Sequence, residues 1–251
     1  MLRRHDRQQG IINKLRAEGT LSIGELAQGY GVSEETIRRE LKVLEEEGTV
    51  VRLHGGVRLA PQRLEGPLET RKQQNAEAKI RIAAAAATFV ANGDIIFIDA
   101  GTTSCYVAQA LARHHALTVV TNSLEVATQL GGINDNKLFL AGGHMDYDYR
   151  AFSDGQARDY IAGFTPHLAI LSVGAISVDQ GLMDFHPGEA AISKIAYATA
   201  QRVLLGVDAS KFGRYGLVRT AALADVDILV TDKPVDDAYR QAFEAAQIVV
   251  A

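Results

Sequence analysis

The chain has 251 residues, 47% of them hydrophobic, with a formal net charge of -4 and a single cysteine, Cys105. No apolar run reaches the length a membrane span needs. The polar stretch Met1–Gly10 lacks the apolar core of a secretory leader, and one cysteine cannot form an internal disulfide, so a cytoplasmic protein is expected.

The charge is uneven: residues 1–60 carry ten Lys+Arg and nine Asp+Glu, and the remainder carries 16 and 21. The expected division is 1–59 for a first domain, 60–75 for a linker and 76–251 for a second domain. In the first, Arg7–Ala17 reads as a helix with Ile11, Ile12 and Leu15 on one face. Ser22-Ile23-Gly24-Glu25 is a capping box that opens a short helix to about Gln28, and Gly29–Val32 makes the turn. Ser33 then caps a longer helix, Glu34–Glu46, which stops at Gly48. Two β-prone runs, Thr49–His54 and Gly55–Leu59, read as a hairpin.

Between Pro61 and Thr70 the apolar pattern lapses, which suits a linker. An Ala-rich helix, Lys79–Val90, leads into the second domain. Seven short apolar runs follow: Ile95–Asp99, Leu117–Thr121, Lys137–Ala141, Leu168–Val173, Val203–Val207, Asp227–Thr231 and Gln247–Val250. Helical segments such as Thr103–Ala112, Ser123–Leu130 and Ala190–Gln201 alternate with them. That alternation predicts a mostly parallel α/β sheet covered on both faces.

On the helix Glu34–Glu46, Ile37, Leu41 and Leu44 form a core stripe, and Glu35, Arg38, Arg39 and Lys42 lie opposite. A cationic outer face after a short helix and a tight turn is the pattern of a helix-turn-helix, in which Arg pairs with guanine edges in the major groove. Ser33 and Thr36 in the first turn reach phosphates or base edges. The following hairpin, with Arg52 and His54, reads as a wing. The candidate DNA-binding residues are therefore Ser33, Glu35, Thr36, Arg38, Arg39, Lys42, Arg52 and His54.

In the second domain, Asp99, Gly101, Thr102 and Thr103 follow a strand and open a helix, where hydroxyls and first-turn N–H groups suit an anion. Thr121, Asn122 and Ser123 end the next strand, Gly142 and Gly143 the one after, and Gly174 another. His186 and Glu189 flank Pro187 at a helix start; Glu189 accepts ligand hydroxyls or simply answers the helix dipole. Lys211 neutralises a phosphate or pairs with Asp208. These strand ends are where open α/β sheets bind ligands. His114-His115 lacks metal-ligand spacing, and Cys105 reads as a small packed residue, so no metal, cofactor or catalytic residue is expected.

The stretches Leu21–Ala27, Val32–Leu41 and Leu53–Gly56 resemble the N-terminal domain of the DeoR/GlpR family of bacterial regulators. The resemblance departs at Glu40, where the family usually has Asp. Across the second domain the same loop series recurs in the same order, with Ala100 in place of a common Ser and His186 in place of a frequent Asn. The resemblance implies a winged helix-turn-helix joined to an α/β sensor domain similar to ribose-5-phosphate isomerase, glucosamine-6-phosphate deaminase and CoA transferases. It further implies a non-enzymatic repressor of a carbohydrate or polyol operon, bound to double-stranded operator DNA as a homodimer or homotetramer. Its effector would be a phosphorylated sugar or polyol, and Ser210–Arg214 points to the glycerol-3-phosphate type. The alternatives are an isomerase or deaminase using Asp99, Glu189 or Lys211, and a sensor of a phosphodiester-linked sugar.

Overall fold

The apolar residues of the N-terminal segment are too few for a large core and are spent on three helices and a small sheet. The computed structural model describes residues 4–46, 49–53, 56–59 and 66–251. They divide into two compact units, Met1–Arg63 and Leu64–Ala251.

The first unit runs α1 (Arg4–Glu18), β1 (Thr20–Ser22), α2 (Ile23–Tyr30), α3 (Glu34–Glu46), β2 (Val50–Leu53) and β3 (Gly56–Leu59). Ile11 and Leu15 of α1, Leu26 of α2 and Ile37, Leu41 and Leu44 of α3 interlock in one core, closed by Val50 and Val57 of the sheet. Each such buried aliphatic contributes roughly 1.5–3 kcal/mol. The capping box forms: Glu25 N donates to Ser22 Oγ at 3.1 Å and Ser22 N to Glu25 Oε2 at 2.7 Å. The second helix runs to Tyr30 rather than Gln28, because the left-handed residue that ends it is Gly31 (φ 63°). The sheet order is β1-β3-β2, antiparallel, with Leu21 opposite Val57. Strand β1 escapes sequence reading because three residues show no alternation. Gly48, His54, Gly55 and 60–65 lie outside the described residues.

Glu40 faces inward on α3, only 3% exposed, and accepts from Arg7 Nε at 3.1 and 3.0 Å and from a guanidinium Nη. The longer side chain at this family-variant position thus reaches across to α1. The carboxylate in turn raises the Arg7 pKa above its ordinary value.

The second unit opens with α4 (Leu68–Gln73) and α5 (Ala76–Ala87). The stretch read as linker therefore contains a helix, fixed by burial of Leu68 and by Leu68 N donating to Asp148 O at 2.7 Å. There follow β4 (Ile95–Ile98), α6 (Thr102–Leu111), β5 (Thr118–Thr121), α7 (Leu124–Leu130), β6 (Lys137–Leu140), β7 (Met145–Asp146), β8 (Ala151–Phe152) and α8 (Gly155–Ala162). The rest is β9 (Leu168–Leu171), β10 (Ala175–Ser177), β11 (Gly181–Asp184), α9 (Pro187–Thr199), β12 (Arg202–Val207), β13 (Val218–Ala221), β14 (Ile228–Thr231), α10 (Asp237–Ala242) and β15 (Gln247–Val250).

All seven apolar runs become strands of one parallel sheet, ordered β15-β14-β12-β9-β4-β5-β6. Alternate residues feed opposite cores. Ile96, Ile98, Val119 and Ile170 pack on one face with Ile82, Ala83 and Ala86 of α5 and Val107 and Leu111 of α6. Phe97, Val120, Leu171 and Leu205 pack on the other with Ile161 of α8 and Ile192 and Ala196 of α9. Chain order runs outward in one direction from β4 through β5 to β6, then returns to β9 and runs outward in the other. The reversal between β4 and β9 is a topological switch point, where adjacent loops leave to opposite sides and open a crevice.

Replacing Glu40 by Gln leaves the Arg7 guanidinium without its countercharge in a largely buried position, and should cost up to about 3 kcal/mol. Thermal unfolding of the full chain, followed by helical circular dichroism, will show an earlier loss of the first unit.

Candidate functional site

Two separate surfaces concentrate the chemistry. On α3 the side chains opposite the core stripe are exposed: Glu35, Arg38, Arg39 and Lys42, with Ser33 and Thr36 at the N-terminus. Ser33 Oγ accepts from Thr36 N at 3.2 Å and shares a 2.9 Å hydrogen bond with Thr36 Oγ1, so the cap holds both hydroxyls together. Arg38 pairs with Glu34 at 2.7 Å and Arg39 with Glu35 at 3.2 Å, each one turn back. Arg52 on β2 pairs with Glu45 of α3 at 2.7 Å, which holds the Glu45 carboxyl below its usual range. At exposed positions such pairs contribute little to stability and are readily exchanged for another anion. His54, also expected here, lies outside the described residues.

The second surface is a cleft at the C-terminal ends of β4, β9 and β12. Asp99 leaves β4 at the switch point and is 7% exposed. Its Oδ1 accepts from Gly101 N at 3.0 Å and its Oδ2 from Ser172 N, beyond the end of β9, at 2.8 Å. Burial pushes the Asp99 carboxyl up, and these hydrogen bonds pull it back. Gly101 is required by the closeness of the two loops: a Cβ there would lie 1.6 Å from Ser172 Oγ. Gly101 is also the N-cap of α6, which brings Thr102 and Thr103 to the rim with the free N–H groups of the first turn.

Among the residues expected to bind a ligand, Asp99, Gly101, Thr102, Thr103, Asn122, Gly174, Glu189 and Lys211 line this cleft. Asn122 is 1% exposed; its Nδ2 donates to Phe152 O at 3.1 Å, and its Oδ1 has no hydrogen-bond partner among the described residues. Lys211 comes from the 3₁₀ turn Ala209–Lys211. Asp208 accepts from Asn75 Nδ2 at 3.0 Å and Ser210 N at 3.0 Å.

Other expected residues stand behind the cleft. Thr121 is fully buried; its Oγ1 donates to Ile98 O at 2.6 Å and accepts from Ser123 N at 3.0 Å, tying β5 to β4. Ser123 caps α7, accepting from Val126 N. Gly142 and Gly143 lead into a corner where Asp154 accepts from His144 N at 2.7 Å. His186 is the N-cap of α9: its Nδ1 accepts from Gly188 N and Glu189 N at 3.2 and 3.4 Å. An Asn at this position would offer an acceptor to the same two amides, so the departure from the family pattern keeps the capping chemistry. Ala100 lines the cleft and packs with Tyr149 and Ala151.

Sequence reading missed Arg71, Ser172, Asp184 and Ser193, all of which line the cleft. Asp184 ends β11, in the separate antiparallel sheet β10-β11-β13, and accepts from Gly174 N at 2.8 Å. Ser193 lies one turn along α9 from Glu189 and could have been found from that spacing. Arg71 sits on the unexpected α4; its only signal was Leu68, a lone apolar residue in a polar stretch. Among the described residues no cluster of His, Cys, Asp and Glu is placed to hold a metal. No helix among them is long and apolar enough to cross a membrane.

A winged helix-turn-helix joined to a doubly wound α/β domain with a cleft at its switch point defines a two-part class of protein. The family models agree: residues 7–63 match the DeoR-like helix-turn-helix domain and residues 74–233 the DeoR C terminal sensor domain. The chain belongs to the DeoR family. It is 35% identical over 233 residues to the glycerol-3-phosphate regulon repressor of Escherichia coli (strain K12), covering 93% of this chain and 92% of that one. It is 34% identical over 229 residues to the transcriptional repressor AccR of Agrobacterium fabrum, covering 90% and 89%. Among solved structures it is similar to the ribose 5-phosphate isomerase of Methanocaldococcus jannaschii, at 16% identity and a TM-score of 0.41, over 55% of each chain.

Cys105 is fully buried on α6, and burial pushes its thiol up to about 12. At about pH 8 it therefore stays protonated and out of reach. A disulfide reagent should label no thiol in the native chain at that pH and one thiol per chain after denaturation.

Proposed function

We propose that the chain is a cytoplasmic transcriptional repressor of a carbohydrate or polyol catabolic operon. It binds double-stranded operator DNA through α3 and the β2–β3 wing, and a phosphorylated sugar or polyol such as glycerol-3-phosphate, held in the sensor cleft, releases it. The observation that carries the reading is the cleft itself. Glycine, hydroxyl and cationic groups gather at the switch point of a sheet that shares its chain with a helix-turn-helix. The first-turn N–H groups of α6, with Thr102, Thr103 and Lys211, suit a phosphate. Glu189 and Asn122 Oδ1 suit the hydroxyls of a sugar or polyol. The regulon and repressor names carried by the relatives support the same reading.

A role as an isomerase or deaminase is less well supported. Such chemistry needs a carboxylate free to move a proton. Asp99 is instead committed through both oxygens to backbone N–H groups that shape the loops, and Asp184 Oδ1 accepts from Gly174 N.

The near-balanced charge of the first unit gives one module only a modest grip, so two modules joined as a homodimer or homotetramer are expected to share a palindromic operator. Effector binding then shifts the population toward an arrangement that does not span both half-sites.

The test starts from an operator recovered by selection from random-sequence DNA with the full chain. Arg38→Ala should weaken specific binding by about 1–3 kcal/mol if the guanidinium reads a guanine. Gel-shift affinity equal to wild type would remove Arg38 from the interface. Thr102→Asp, which places a carboxylate in the phosphate loop, should leave operator binding intact and abolish release by the effector.

A further inference from the structure

We propose that the corner between α4 and α5, latched by Asn75, is the joint that carries occupancy of the sensor cleft to the DNA-binding unit. The inference rests on the reading above, in which the cleft holds an effector and α3 an operator, and adds the regulation of that site. In chain order α4 is the first helix of the second unit. A signal that passes along the backbone from the cleft to the first unit leaves through it.

The helix has only six residues, too few to stand without tertiary contacts, so its position follows whatever holds it. Several elements around the cleft do so. Leu68 N donates to Asp148 O at 2.7 Å, and Tyr106 Oη of α6 donates to Lys72 O at 3.2 Å. Lys72 Nζ lies 3.4 Å from Glu125 Oε2 of α7, and Arg71 itself lines the cleft.

Two contacts of different kinds hold the corner. Lys79, 3% exposed, donates from Nζ to Arg71 O at 2.6 Å. Breaking a buried contact of this kind strands a polar group, which makes it a fixed pivot. Asn75 is exposed and left-handed (φ 53°, ψ 34°), a conformation Asn adopts more readily than most residues. It stands at the N-cap of α5, yet its side chain caps nothing there. Nδ2 donates instead to Asp208 Oδ1 at 3.0 Å and Ser210 Oγ at 3.2 Å. These acceptors belong to the 3₁₀ turn, with its cap, that brings Lys211 to the cleft. Water competes for an exposed amide, so this second contact opens easily.

One corner thus meets two segments, α4 and the Ala209–Lys211 turn, that reach the same cleft from distant parts of the sequence. With the latch shut, α4 follows the turn. With it open, α4 swings on the Lys79 contact alone. A ligand in the cleft that favours one arrangement shifts the population between them, and the start of the chain toward the first unit shifts with α4.

The experiment titrates the full-length chain with glycerol-3-phosphate, ribose-5-phosphate and fructose-6-phosphate by calorimetry; the tightest binder to wild type becomes the probe. Operator affinity is then measured by gel shift with and without saturating probe, and probe affinity with and without operator. The two routes give the same coupling ratio, expected to be about 5- to 150-fold for wild type. Asn75→Gly keeps the left-handed backbone and removes the latch. It should bind operator alone and probe alone within about threefold of wild type, with the coupling ratio within about twofold of one. Asn75→Asp, of the same shape, sets a like charge against Asp208 and should uncouple in the same way. Melting temperatures without ligand check that both variants fold.

A wild-type coupling ratio in either variant overturns the joint. Loss of probe binding in both would place Asn75 in the architecture of the cleft and overturn it too. If no probe binds wild type, or none changes its operator affinity, the sensor reading fails first, and this inference with it.

Discussion

Asp99 joins two loops that the sheet would otherwise send apart. Where β4 and β9 meet, their continuations leave toward opposite faces, and a gap opens between Gly101 and Ser172. The Asp99 carboxylate closes that gap at its base by accepting an N–H from each side, and the missing side chain of Gly101 lets the loops approach. With the base closed, the rim becomes a cleft lined by the first turns of α6 and α9 and by Lys211 at the end of the 3₁₀ turn. Asp184, at the end of β11, adds a second buried carboxylate to the cleft and accepts from Gly174 N through Oδ1.

Much of this was legible in the sequence for a simple physical reason. Strands buried on both faces are continuous apolar runs, and all seven of them stood out between helical segments. The glycine, threonine and asparagine residues at their C-terminal ends stood out as well. What escaped were elements too short to show a period: β1, the β7–β8 pair, the antiparallel strands β10, β11 and β13, and α4, whose six residues are mostly polar. The cost was concentrated at Arg71, which such an element delivers to the cleft. At His186 the structure shows a role that the sequence reading did not name. Its proximity to the ligand loops was legible, but a His before Pro-Gly-Glu is also a helix cap followed by proline at the first helical position, and in the structure the ring serves the backbone.

The two units use charge differently. In the sensor the cations Arg71 and Lys211 come from elements far apart in sequence to a cleft they share with Asp99, Asp184 and Glu189. In the helix-turn-helix the acids stay beside the cations: Glu34 with Arg38, Glu35 with Arg39 and Glu45 with Arg52. The buried Arg7–Glu40 pair is of another kind, since it spans 33 positions of sequence and fastens α1 to α3.

Those three exposed pairs bear on the ions that surround DNA. A protein cation that docks on a phosphate expels a condensed cation from the duplex, and affinity then falls steeply with added salt. In the proposed complex, any of these arginines that docks on a phosphate must first let go of its glutamate, and the vacated carboxylate draws a cation back from solution. Part of the expelled sodium is thus recaptured by the protein. The grip on the operator becomes less sensitive to the ionic strength of the cell than a count of its arginines implies.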